Sequence, residues 1–168
     1  MRITLEIQNK IKASTLPQKR FFVLGADRAL TLLNPKSAVR RSRIELSVAF
    51  VSPREIRRLN KQWRKKDAPT DVLSFPHFSP IRAASSATLG KIMPVRDQDG
   101  VIRLGEILIA PQIVKKEAAQ FDHAAPEHLI FLFVHGLLHL LGYDHERSKS
   151  DDILMQKIQA SVLKGINI

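Results

Sequence analysis

Near the C-terminal end the chain reads H-G-L-L-H-L-L-G-Y-D-H, from His135 to His145. Residues four apart share one face of a helix, so a helix here points His135 and His139 the same way. Gly142 can take the left-handed conformation that ends a helix, and a turn through Tyr143 and Asp144 then brings His145 back beside the first pair. A single histidine on an apolar helix is commonly a hydrogen-bonded core residue. Two of them among Leu137, Leu138, Leu140 and Leu141 bury ring nitrogens for which those neighbours offer no partner. A shared metal would satisfy both. Three imidazoles with a fourth position open are the donor set of a catalytic zinc site. One Zn²⁺ ion is therefore expected, and Ni²⁺, Cu²⁺ or Fe²⁺ also suit all-imidazole ligation. Zinc lowers the pKa of a water it binds to about 7, so the chemistry expected is hydrolysis.

The spacing H-x-x-x-H-x-x-G-x-x-H is also that of metzincin proteases, which makes a metalloprotease one alternative. Those enzymes need a glutamate directly after the first histidine as general base. Here that position is Gly136. Loss of a general base costs about a hundredfold or more in rate, so Gly136 counts against peptide hydrolysis and leaves the ligand pattern intact.

Bulk properties narrow the substrate. A chain of 168 residues with 44% hydrophobic and 26% charged residues suits one soluble domain with a real core. The excess of 27 Lys+Arg over 16 Asp+Glu gives a net charge of +11, which favours anionic partners, nucleic acid above all. There is no cysteine, so neither disulfides nor thiolate ligands enter, and a reducing compartment such as the cytoplasm fits. No secretory leader is recognised at the start. The longest apolar run, Leu129 to Leu141, is interrupted by two histidines and falls short of the ~20 residues of a membrane span.

Several elements must position these histidines. Ile3, Leu5 and Ile7 alternate as a strand. Phe22, Ala26, Leu30 and Leu33 recur at helical spacing between Pro17 and Asn34-Pro35. Lys36 to Arg43 is a basic connection, and Ile44 to Val51 is a second strand. Ser52-Pro53-Arg54-Glu55 predicts a capped helix start with a capping box, and Ile56, Leu59 and Trp63 are its expected buried stripe. Arg54, Arg57, Arg58, Lys61 and Arg64-Lys65-Lys66 make the rest of that helix densely basic. Asp71 to Phe75 is a third strand. Residues 77–102 form an irregular, insertion-like stretch ending in the turn Asp97 to Gly100. Arg103 to Ala110 is a fourth strand.

Pro111 to Phe121 is a helix with Val114, Ala118 and Phe121 inward. The helix from Pro126-Glu127 to Leu141 is apolar nearly all round and is expected to be the buried central one. A last helix starts near Ser150-Asp151-Asp152 and buries Leu154, Ile158 and Val162. The expectation is a single α+β domain over residues 1–168. It has a mixed four-stranded sheet, about five helices, and a central helix carrying two of three metal-ligand histidines.

The motif His135–His145 resembles, residue for residue, the signature of the bacterial YbeY-type endoribonucleases, the rRNA maturation factors. L-N-K-Q-W-R-K-K-D-A-P-T-D-V-L-S-F-P, Leu59 to Pro76, resembles that family's second diagnostic segment, and L-G-E-I-L-I-A, Leu104 to Ala110, resembles a third. The blocks stand in the family's order and, with the helices between them, account for most of the chain after Val48.

The resemblance implies a zinc-dependent, single-strand-specific endoribonuclease active in 16S rRNA 3′-end maturation and ribosome quality control. Ribosomal RNA and the small ribosomal subunit are then its partners. It implies that His135, His139 and His145 hold the metal, and it places the family's functional arginine on Arg64. Arg64 and His139 are thus the candidate catalytic residues, Arg64 binding a phosphate oxygen and stabilising charge there. The non-enzyme alternative is a ribosome-assembly factor that binds RNA and keeps a structural metal.

Two departures from the family stand out. Glu106 takes the place of a common aspartate, and the stretch after Pro76 is longer than usual, with Arg82, Lys91, Arg96 and Arg103 available to extend an RNA surface. Asp144 is a candidate general base, a turn residue or a hydrogen-bond partner for a histidine. His77, His123 and His128 are expected at the surface, away from the metal.

Overall fold

The helix that carries the histidine pair is the hub of the molecule. A computed structural model describes residues 2–13, 16–33, 43–77, 97–120 and 124–167. In chain order these form β1 (Arg2–Asn9), α1 (Lys19–Leu33), β2 (Arg43–Phe50), α2 (Pro53–Arg64), β3 (Val72–Pro76) and β4 (Val101–Ile109). Three helices follow: α3 (Pro111–Gln120), α4 (Ala125–Leu140) and α5 (Lys149–Leu163). Helix α4 packs against α1, α3, α5, β3 and β4. Its sides bearing Leu129, Ile130, Phe133, Val134, Leu137 and Leu138 are buried, as an all-round apolar helix requires. From Leu129 on, Phe131, His135 and His139 break that pattern, and with His128 they form one partly open stripe with spacings of three or four.

The strands form one sheet in the order β1-β2-β4-β3. The first two pairings are parallel and β3 runs antiparallel to β4, so the sheet is mixed as expected. Alternate residues of β2 and β4 face opposite layers. Val48, Phe50, Ile107 and Ile109 join α1 and α4 in the main core, where Phe22 meets Phe133 edge-on at 5.2 Å between ring centres. Ala49, Val51, Leu108 and Ala110 form a smaller core with Ile56 of α2 on the other face. Two layers of helices thus cover one sheet.

Glycine is required where β3 crosses β4. Gly105 has φ +132, and a Cβ there would lie 2.2 Å from the Phe75 carbonyl oxygen. The pairing of β2 with β4 shifts register beside it, between Glu45 and Leu46, as a bulge does.

Several expectations change in detail. Ser52 caps α2 by accepting from the Glu55 N–H, but the Glu55 carboxylate turns to Arg58 and completes no capping box. Trp63, expected in the buried stripe of α2, is 63% exposed; Ile56 is buried and Leu59 half-buried, so the stripe loses its cover toward the helix end. Helix α5 begins at Lys149 behind Ser148, and it buries Met155, Ile158, Gln159 and Val162, with Leu154 only half-buried. Arg103 is held by Asp97, Asp99 and Glu45, which commits it to a local ion cluster. Phe121, His123 and the stretch 78–96, including Arg82, Lys91 and Arg96, lie outside the described residues.

Candidate metal centre and its cleft

The end of α4 is built by its sequence. Gly142 has φ +88; its N–H donates to the His139 carbonyl and the Tyr143 N–H donates to the Leu138 carbonyl. These two bonds are a Schellman stop. It reverses the chain within two residues and returns His145 to the open stripe of α4. The ring centres of the three histidines lie 4.8, 5.1 and 5.3 Å apart. One ligand nitrogen from each falls within 4.8 Å of the other two, forming a group that could hold a metal ion. The Nε2 atoms of His135 and His139 face each other at 3.2 Å.

The protonation chemistry suits ligation. Burial pushes His135 below the usual imidazole range. Burial, with the neighbouring His135 and His145, pushes His139 down to about 4. Both rings are neutral at pH 7, with a lone pair free for a cation.

Gln159, 4% exposed, decides which nitrogen of His135 that is. The Phe131 carbonyl only accepts, and it takes the Gln159 Nε2 donor at 3.1 Å. That leaves Gln159 Oε1 facing His135 Nδ1 at 3.3 Å. Nδ1 therefore carries the proton and donates, and Nε2 presents its lone pair to the other histidines. Replacing Gln159 with leucine is expected to weaken metal binding by about ten- to a hundredfold. Competition against a chelating dye measures this; an unchanged affinity would remove Gln159 from the site.

The donor set passes a test of fit. Three imidazoles converge, and Gln159 orients one of them. All three line a cleft of about 810 Å³, so one side of the centre stays open, as in catalytic rather than closed structural sites.

The cleft runs along β3, with Thr70 to Pro76 as its floor and Trp63, Arg64, Phe131, Met155 and Gln156 around it. Arg64 is the last residue of α2. Lys65, with φ 60, stops the helix there, and the buried Asn60 donates to the Ala68 carbonyl to hold the following loop. The Arg64 guanidinium reaches Glu146, one residue past His145, at 3.0 and 3.1 Å. Lys66 stands 3.9 Å from the same carboxylate. Arg64 and the three histidines thus line one cleft.

Asp144 and Tyr143 also line the cleft, while the remaining candidates stand outside it. Asp144 accepts the Glu146 N–H at 3.0 Å and faces Arg147 at 3.4 Å, which makes it a turn-forming residue. Tyr143 packs against the main core, and burial raises its hydroxyl above the usual phenol range. Glu106 sits within β4 and does not line the cleft. His77 is exposed, as expected. His128 is not: it is largely covered, stacks on Phe131 at 5.7 Å and lies 3.9 Å from Glu117.

Sequence reasoning missed Gln159. The available signal was a polar residue inside the helical stripe Met155, Ile158, Gln159, Val162. It also missed Glu146 as the partner of Arg64, which no local pattern marks.

Comparison with known proteins agrees with this geometry. The family model described as endoribonuclease YbeY matches residues 6–167. An Acinetobacter baumannii protein named endoribonuclease YbeY is 32% identical over 168 residues, covering 100% of this chain and 96% of that one. A Roseiflexus protein of the same name is 37% identical over 125 residues, 74% of this chain and 72% of that one. A Thermotoga maritima protein solved in solution superposes with a TM-score of 0.52 at 27% identity, over 96% of this chain and 90% of that chain. With the match running through the basic helix, the fourth strand and all three histidines, the chain belongs to the YbeY endoribonuclease family.

Proposed function

We propose that this protein is a zinc-dependent endoribonuclease that cuts single-stranded RNA, acting in the cytoplasm on the 3′ end of 16S rRNA and in ribosome quality control. The observation that carries the hydrolytic reading is the three-histidine centre opening into the same cleft as Arg64. The ribosomal assignment rests on the family. Among the described residues no helix is long and apolar enough to cross a membrane.

His135, His139 and His145 would hold a divalent ion, which when bound would supply Lewis acidity toward a phosphoryl oxygen and activate water for hydrolysis, and Gln159 fixes the tautomer of His135. Arg64 takes a non-bridging phosphate oxygen and stabilises charge that develops there. Before RNA arrives, Glu146 occupies the guanidinium. The pair is exposed, at 42% and 54%, and such pairs are worth only about 0–1 kcal/mol. A phosphate can therefore displace the carboxylate. The segment from Arg54 to Asp67 carries seven basic residues against two acids, Glu55 and Asp67, which favours a polyanion.

The protease alternative meets a second obstacle besides the missing base. A side chain at position 136 would begin 3.0 Å from Ile107, against the sheet. A purely structural metal is disfavoured by the open side of the centre.

Arg64→Ala is expected to reduce kcat/KM on single-stranded RNA by about ten- to a hundredfold, the scale of one charge-assisted hydrogen bond. Cleavage by metal-replete protein on a denaturing gel is the measurement, with RNA affinity followed against salt. Intact RNA with retained ribosome binding would establish the binding-factor reading instead. A rate indifferent to Arg64 would place the phosphate elsewhere.

A further inference from the structure

One wall of the cleft carries an exposed aromatic side chain that the metal centre does not use. Trp63 is the most exposed of the large hydrophobic side chains among the described residues, at 63%. Aromatic residues of this size normally supply core burial, and the spacing of α2 puts Trp63 in line with Ile56 and Leu59. Instead it stands at the cleft rim beside Arg64. Its ring contacts Phe75 of β3 edge-on, at 6.2 Å and 71°, a contact that restrains the ring and leaves most of its surface in water. Phe131, 41% exposed on α4, lines the same cleft.

We propose that Trp63 is a nucleobase-stacking subsite, which takes the face of an unpaired base while Arg64 holds an adjoining phosphate. This rests on the ribonuclease reading and specifies how that site selects its substrate. Consecutive residues lie ~3.8 Å apart at Cα, so Trp63 and Arg64 together present a flat π surface and a cation at neighbouring points. A single-stranded nucleic acid offers the complementary pair, a base face and a phosphate, in every nucleotide. In duplex RNA the base faces are stacked on each other and closed to a side chain. An apolar peptide would match the indole but not the seven cationic residues between Arg54 and Lys66. The subsite therefore gives a physical basis for preferring single strands without reading sequence.

The chain contains one tryptophan, so emission excited at the red edge of the indole band, where tyrosine does not absorb, reports this position alone. Metal-replete protein is titrated with a 2′-O-methyl oligoadenylate of about ten nucleotides, the length range of single-strand sites, and with the same strand in a duplex. The expected result is saturable quenching by the single strand and little change with the duplex. By anisotropy of a labelled strand, Trp63→Ala should weaken single-strand binding by about five- to a hundredfold, and Trp63→Phe should largely restore it. Circular dichroism checks that both variants are folded.

Binding without any change in emission, or equal affinity of Trp63→Ala and wild type, would overturn the subsite. So would an emission change produced by RNA-free ribosomal protein and by neither oligonucleotide, which would mark a protein-docking surface. Cleavage separates the two ideas. RNA cut with unaltered KM by Trp63→Ala removes the subsite and leaves the nuclease. Quenching and tight binding without cleavage keep the subsite and remove the nuclease.

Discussion

His139→Ala is expected to lower RNA cleavage by about three orders of magnitude, the rate equivalent of the several kcal/mol that a bound divalent ion supplies. Loss of tight metal binding should accompany it, because two nitrogens remain where three converged within 4.8 Å. The protein should stay folded: the ring is only partly buried and its backbone sits in a well-packed helix. Elemental analysis of the purified variant and a single-turnover assay test both halves. A variant that keeps its metal and its rate would disprove the three-histidine centre.

Acid should act on the same group in the metal-free protein. An ordinary imidazole takes its proton near pH 6.5, whereas burial and two neighbouring rings hold His139 at about 4. Between those values the unfolded chain binds a proton that the fold refuses. Stability is therefore fully present above about pH 6.5 and is lost as pH falls toward 4. Allowing for the solvent that reaches the ring, the loss between pH 7 and 5 is about 1 kcal/mol, or roughly 2–4 °C in Tm. Thermal melts of chelator-treated protein should show this slope, and His139→Ala should flatten it.

Gly136→Glu, which writes the metzincin base into the motif, is expected to destabilise the protein by about 4 kcal/mol or more and to create no peptidase. A Cβ at 136 lies 3.0 Å from Ile107 Cγ2 and 3.5 Å from its Cδ1 and Cγ1. Ile107 is fully buried in the central strand β4, with nowhere to retreat. Overpacking alone costs about 1–3 kcal/mol, and an unpaired carboxylate driven into that layer costs several more. Gly136→Ala separates the two terms. It gains about 1 kcal/mol of helix propensity against the overpacking, so its net effect should be small. Urea unfolding resolves the pair; a Gly136→Glu protein as stable as wild type would show that the helix can lift from the sheet. The glycine that argues against a protease in the sequence thus has its own cause in packing.

Much of the site is local and was legible for that reason. The offset of His135 and His139, the stop at Gly142 and the return of His145 are consequences of helix geometry over eleven residues. The apolar faces of α1 and α4, the four strands and the cation-rich helix ending at Arg64 follow equally from periodicity and charge. The resemblance of three blocks to one family carried the substrate class, which spacing alone left open between peptide and phosphodiester.

Other features depend on contacts distant in sequence. The sheet order β1-β2-β4-β3 places β3 at an edge, and α2 covers the opposite face from α4. Only that arrangement brings Arg64 to Glu146, 82 residues away. Trp63 has the spacing of a core residue, and Ile56 confirms the stripe, but the cover of the sheet gives out before the helix does. Gln159 is an ordinary polar letter until α5 packs on α4 and sets it between the Phe131 carbonyl and His135. Periodicity tells which face of an element turns inward. What that face meets is fixed by the packing of elements far apart in the chain, and there the histidine motif acquires its tautomer, its arginine and its cleft.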